Sequence, residues 1–326
     1  MTRPTGPRSF RHLFGPVPSR RLGRSLGIDL VPHKVCTLDC RYCECGATTE
    51  LTVERDEWVP TAEVLVELEG WLADHVDGGR QAADYLTFSG AGEPTLHRDL
   101  GRIIHWLQPR TPVPLALLTN GTLLGDPALR RELAPLDLVC PSLDTAVEAT
   151  FQALNRPHGS LSAAALVDAL VAFRQEFPGQ IWLEVLLADG VNDSDAELDA
   201  LAAAIERIAP DRVQLNTAVR PGADPTLTAA AAQTLARALA RFGPRAEAVA
   251  TFTARHDGPA TLAPEVLADA VLAVVRRRPE TVDALASSLG VALAEAQACV
   301  ARLEAAGAVR REDRAGTPYV IAVERA

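Results

Sequence analysis

Between about residues 25 and 242, apolar runs of strand length alternate with stretches whose apolar residues recur at helical spacing. The runs are SLGIDLV (25–31), YLTFSG (85–90), PLALLTNG (114–121), LDLVCPSL (136–143), IWLEVLLAD (181–189) and RVQLNTA (212–218). Helical spacing follows near 61–77, 98–108, 126–134, 161–176, 194–208 and 227–242. Six strands, each followed by a helix, predict an α/β fold. Its sheet is parallel and covered on both faces, because parallel neighbours need a crossover to return the chain. Periodicity alone leaves open whether the sheet is flat or curved into a partial barrel. Polar and glycine-rich residues gather just past the strand ends, in SGAGEP, TNG and SLDT. Ligands sit at that rim in both architectures.

After residue 243 the pattern changes. A Gly/Pro-punctuated connector leads to helical runs near 264–277, 281–288 and 292–306, then to a β-hairpin pattern around Ala315-Gly316. Three helices and a hairpin in so short a stretch predict a winged helix-turn-helix. Its third helix offers Arg302 against Glu295 and Glu304, and the unit as a whole is close to charge-balanced. A docking or substrate-presenting role is therefore favoured over sequence-specific DNA binding.

Charge is spread unevenly. The chain carries −10 overall, yet residues 1–41 hold eight Lys/Arg and two Asp. Any nucleic-acid contact is expected near this basic start, where Arg3, Arg8 and Arg11 are equally explained as a solvated tail. No apolar run reaches membrane-spanning length and the opening lacks a signal-peptide core, so a cytoplasmic protein without a membrane partner is expected.

Four of the six cysteines, at 36, 40, 43 and 45, fall within ten residues, whereas Cys140 and Cys299 sit in apolar patterns that read as core. In a reducing compartment such a cluster points to metal. Cys36, Cys40 and Cys43 can ligate three irons of a 4Fe-4S cube and leave the fourth open. A structural zinc site, with Cys45 or His33 as fourth ligand, is the competing reading of the spacing. Lys34 is the single lysine.

The loop CTLDCRYC, with Tyr42 just before its third cysteine, resembles the radical S-adenosylmethionine superfamily. Together with FGPVPSRRLGRSLGIDLVPHKVCTLDCRYC (14–43), TFSGAGEPTL, LLTNGTLL, SLDT, FQALNRP and VLLADGVND, it looks like the subgroup related to the tRNA wybutosine synthesis enzyme. The resemblance implies a partial (β/α)6 barrel of parallel strands, 4Fe-4S and S-adenosyl-L-methionine as cofactors, and an electron donor such as flavodoxin or ferredoxin. It makes Cys36, Cys40 and Cys43 the cluster ligands. Gly90, Gly92, Glu93 and Pro94 would meet the methionine end, with Ala91 inserted between the glycines. Thr119, Asn120, Ser142 and Asp144 would face the ribose and carboxylate, and Tyr42 the adenine. The implied layout is a basic segment (1–24), a barrel (25–243), a linker (244–263) and a winged-helix-like domain (264–326).

The implied chemistry is reductive cleavage of S-adenosylmethionine to a 5′-deoxyadenosyl radical that abstracts hydrogen from substrate. No catalytic acid or base is assigned. Wybutosine-type chemistry uses additional upstream cysteines, and this sequence has none before Cys36. Gln214, Asn216 and Arg220, with the following Pro221, are candidates to face the substrate; a barrel-closing ion pair is the alternative for Arg220. Arg20, Arg21 and Arg24 are candidates for an anionic substrate, for screening the cluster or for anchoring the tail. The substrate is open, with RNA and protein both candidates. The alternatives are a tRNA-modifying radical enzyme and a metal-dependent DNA-binding regulator.

Overall fold

The structure is a computed structural model that describes residues 10–323 apart from 20, 76, 80, 81, 219, 221, 250–262, 277, 278 and 315. Arg3, Arg8, Arg20, Pro221 and Ala315 lie outside the described residues. In chain order the N-terminal part comprises β1 (Leu13–Ser19), β2 (Gly23–Ile28), β3 (Val35–Cys36), β4 (Glu50–Leu51), α1 (Thr61–Asp74), β5 (Tyr85–Phe88) and α2 (Leu100–Leu107). Then come β6 (Leu115–Thr119), α3 (Pro127–Leu133), β7 (Leu138–Pro141), α4 (Glu148–Leu154), α5 (Ala163–Glu176), β8 (Gln180–Leu187), α6 (Asp195–Ile208), β9 (Arg212–Thr217), α7 (Ala232–Phe242) and β10 (Ala246–Ala248). The C-terminal part holds α8 (Pro264–Val275), α9 (Val282–Leu289), α10 (Leu293–Ala305), β11 (Val309–Arg314) and β12 (Thr317–Ala322).

One sheet of eight strands runs β1-β2-β5-β6-β7-β8-β9-β10. Every pair from β2 to β10 is parallel, and β1 lies antiparallel on β2 at one edge. This mostly parallel α/β sheet is consistent with a radical-enzyme partial barrel. Two strands go beyond the six expected. Leu13–Ser19, inside the stretch read as a basic N-terminal segment, is an edge strand, and Ala246–Ala248, inside the stretch read as linker, extends the other edge. Helix α7 starts at Ala232, later than the helical spacing near 227.

Alternation within the strands assigns two faces. Phe88, Leu117, Val139, Leu183 and Leu215 belong to the large core beneath the helices. On the opposite face Ala116, Leu138, Cys140 and Trp182 form a smaller apolar group with Leu22. Helices start where side chains cap them: Ser194 accepts from Glu197 N at 3.3 Å and Ser162 from Ala165 N at 3.2 Å. Helix α6 stops at Ala209, which turns left-handed at φ 51°.

The C-terminal helices and hairpin enclose a separate apolar core of Leu267, Val271, Ala296, Cys299, Val300 and Val320, on which Val17 of β1 packs. Among the described residues no helix is long and apolar enough to cross a membrane.

Candidate active site

The chain leaving β2 reaches β3, whose two residues pair in parallel with β4, and this pins the stem of the cysteine loop. Lys34 enters it in the left-handed region at φ 60°, a strained conformation for a residue with a side chain. From the other side, α4 ends against the loop: Asp39 N donates to Asn155 O at 3.0 Å and Arg41 N to Leu154 O at 3.0 Å. Helix α4 was not expected from the sequence, because Phe151 and Leu154 are its two buried residues.

Cys36, Cys40 and Cys43 line a single cavity of about 300 Å³ together with Tyr42, Ser89, Gly90, Gly92, Glu93, Thr119, Asn120 and Ser142. Of the twelve residues assigned to the cluster or to S-adenosylmethionine, all but two therefore line it, whereas the substrate candidates Gln214, Asn216 and Arg220 do not. Pro94 and Asp144 stand behind the wall, both buried.

Each of the three sulfurs accepts a nitrogen donor. Asn120 Nδ2 is 3.5 Å from Cys36 Sγ, Asn155 Nδ2 is 3.5 Å from Cys40 Sγ, and Lys34 Nζ is 3.0 Å from Cys43 Sγ. Burial pushes the Cys36 thiol up to about 11 and also raises Cys40 well above the ordinary thiol value. Cys43 is drawn down to about 5, first by its hydrogen bond with Cys45 and then by the Lys34 ammonium. Cys45 is itself pushed up, first by its contact with Cys43 and then by burial. Ligation by metal requires thiolates, and buried thiolates need positive charge beside them. Among the described residues no three His, Cys, Asp or Glu side chains converge on a single ion. The three thiols instead stand around the cavity, an arrangement that fits a polynuclear group bound at separate corners.

The glycine-containing turn is built around Glu93, which is 2% exposed. Its Oε1 accepts from Thr95 N at 3.0 Å, Thr95 Oγ1 at 2.6 Å and Thr119 Oγ1 at 2.6 Å; its Oε2 accepts from Asn120 N at 2.8 Å. Glu93 therefore caps the short helical turn Pro94–Leu96 and ties it to the end of β6. Burial raises its carboxyl above the ordinary range despite these donors. Gly90 and Gly92 are required by close approach within the protein. A Cβ at Gly90 would lie 1.9 Å from the Asp29 carboxylate, and one at Gly92 would lie 2.2 Å from Val35 O.

Asp144 also differs from a residue free to meet a ligand. Its Oδ2 accepts from Tyr42 Oη at 2.5 Å and Asn155 Nδ2 at 2.7 Å, and its Oδ1 from Leu186 N at 3.0 Å. The Tyr42 hydroxyl is likewise occupied by Asp144, while the residue still lines the cavity. Asn120 Nδ2 donates to Thr37 Oγ1 at 2.7 Å, and Asn120 Oδ1 accepts from Thr122 N at 3.0 Å.

Three contributors carried no site role in the sequence reading. Thr37 and Asn155 support the sulfur ligands, and Asn155 lies in the motif FQALNRP already noted. Glu184 lines the cavity beyond Cys140 and pairs with Arg21, which the hairpin between β1 and β2 carries inward. Arg24 is paired outside with Asp84, and Arg11 with Glu63. Arg220 forms ion pairs with Glu44 and Glu280, in line with the structural alternative.

Three thiols on a loop after the first parallel strand are set beside polar turns at the next three strand ends, as in the radical S-adenosylmethionine superfamily. The superfamily of that description matches residues 30–202, and the chain belongs to it. It is a radical S-adenosylmethionine enzyme, and this membership implies a 4Fe-4S cluster and S-adenosylmethionine. Within the superfamily it falls in the UPF0026 family: the UPF0026 protein of Methanocaldococcus jannaschii is 31% identical over 70% of this chain and 70% of its own length. A protein of Brachyspira hyodysenteriae called GTPase Obg is 33% identical over 93% of this chain, which spans 44% of that relative. A structure of TYW1 with a lysine-pyruvate adduct bound covers 67% of this chain and 72% of its own, at 13% identity and a TM-score of 0.46. The TYW1 structure is a distant neighbour in fold.

Proposed function

We propose that Cys36, Cys40 and Cys43 hold the cluster and that the adjoining strand-end residues receive S-adenosylmethionine in the same cavity. When bound, these groups supply reductive cleavage to methionine and a 5′-deoxyadenosyl radical able to take hydrogen from a substrate. The carrying observation is the set of three sulfurs around one cavity, each with its own nitrogen donor. Such donors stabilise charge on sulfur and tune a cluster's potential.

Glu93 holds Thr119 and the Asn120 backbone in place, so that the turns after β5 and β6 form one rigid wall. Asp144 fixes Tyr42 and Asn155, and through Asn155 the position of Cys40. Leu118 and Cys140 give the wall an apolar stretch that limits water, while Ser89, Ser142 and Glu184 add polar groups for a ligand. Residues 264–326 are read as a winged-helix-like domain that docks a partner or substrate, beside a barrel whose sheet runs from β1 to β10. The reductant is read as a low-potential carrier such as flavodoxin or ferredoxin.

The deciding experiment is anaerobic reconstitution with iron and sulfide, followed by reductant and S-adenosylmethionine. The protein should bind about four irons per chain and release 5′-deoxyadenosine. The electron paramagnetic resonance of its reduced cluster should change when S-adenosylmethionine is added. A fully loaded cluster whose spectrum ignored S-adenosylmethionine would count against the assignment.

A further inference from the structure

The segment after β9 crosses the cysteine loop at three points. Arg41 Nε donates to Asp224 Oδ2 at 2.8 Å, and Asp224 N donates back to Arg41 O at 2.8 Å. Gly222 lies against the main chain of Tyr42, where a Cβ would come within 2.7 Å of Tyr42 C. Arg220 Nη1 reaches Glu44, the residue directly after Cys43, at 3.3 Å.

The same guanidinium faces the C-terminal part of the molecule. Its Nη2 lies 2.9 Å from Glu280 Oε2, and its Nε donates to Glu280 Oε1 at 3.3 Å. Glu280 is fixed in turn: its N–H and C=O both bond to Val320 of β12. The Arg220 and Glu280 side chains are 7% and 3% exposed. A buried cation between two carboxylates holds its geometry strongly, because removing the guanidinium leaves the buried Glu280 carboxylate without compensation in a poorly solvated place. The planar fork of arginine can grip both at once.

We propose that the C-terminal unit is a clamp on the cysteine loop, with Arg220 as the positioning residue that couples Glu280 to Glu44. The unit holds the barrel at a second place, since Val17 of β1 packs in its core. Displacing the unit takes Glu280 from Arg220 and leaves the loop tied through Arg41 and Asp224. The significance for catalysis rests on Cys36, Cys40 and Cys43 being the cluster ligands; the clamp itself does not.

The test uses the full chain and the variants Arg220→Met, Arg220→Lys and Glu280→Gln. In metal-free protein, amide hydrogen exchange over residues 40–46 should quicken at least about tenfold in Arg220→Met and Glu280→Gln, with α5 unchanged. Arg220→Lys keeps the charge but not the fork and should fall between. After reconstitution, the change that S-adenosylmethionine causes in the cluster's magnetic spectrum should broaden in the first two variants and largely return in Arg220→Lys. Wild-type exchange and spectra in Glu280→Gln would overturn the clamp, and that variant with Arg220→Lys decides the matter if Arg220→Met does not fold. Failure of the wild type to take up iron would strike the ligand assignment and leave the exchange result standing.

Discussion

The rim of the barrel and the C-terminal unit use buried polarity in opposite ways. Around the cysteine loop Lys34, Thr37, Glu93, Thr119, Asp144 and Asn155 are all buried, whereas in the described C-terminal residues the buried polar side chain is Glu280. Buried polar groups cost free energy unless they are fully partnered, so a dense network marks a place where geometry has been favoured over stability. The C-terminal unit instead has an apolar core of ordinary kind, and the buried charge of Glu280 is turned toward the barrel. The difference teaches where chemistry is held and where support is supplied.

The contrast can be broken most sharply at the loop. Cys36→Ala should cut 5′-deoxyadenosine formation at least about a thousandfold and prevent a full iron complement, read by anaerobic product analysis and iron assay. Glu93→Ala comes next. It strands four donors from Thr95, Thr119 and Asn120, so denaturant midpoints should report a loss of about 3 kcal/mol. Activity should fall along with stability.

Val271→Ala probes the other side of the comparison. It hollows the C-terminal core, where Val271 is fully buried, and should cost about 2 kcal/mol while iron stoichiometry stays at the wild-type value. Loss of iron in this variant would show that the two regions do not divide the work as described.

The smallest effect lies at the barrel edge, where Asp84 meets Arg24 at 3.2 Å. Partial burial pushes the Asp84 carboxyl up, but hydrogen bonds from Arg24 outweigh it and leave the group below its ordinary value. Its stabilising contribution is therefore present above the unfolded value near 4 and is lost as pH falls through the folded one. Asp84→Asn should destabilise by less than about 1 kcal/mol at pH 7. Thermal melts of variant and wild type should converge in acid.

The sequence made the alternating α/β order legible because strand and helix periods differ and the runs are long enough to show them. The thiol loop was equally plain, since three cysteines within eight residues have few uses. The edge strands were harder to see. Leu13–Ser19 contains two prolines and β10 has three residues, so neither carries an apolar alternation of useful length. The roles of Gly90 and Gly92 were also hidden, because what crowds them, Asp29 and Val35, is set by the packing of another loop.

By itself, then, the chain determined the donors and their spacing: which thiols, which strand-end turns and which single lysine could stand near one another. Only the tertiary structure decided how those groups are spent. Asp144 is held by Tyr42 and Asn155, Lys34 is aimed at Cys43, and Arg220 joins residues 176 and 60 positions away. Hydrogen bonds and ion pairs depend on distances of a few ångströms between segments remote in sequence, and local patterning has no means of encoding which of the available partners will arrive.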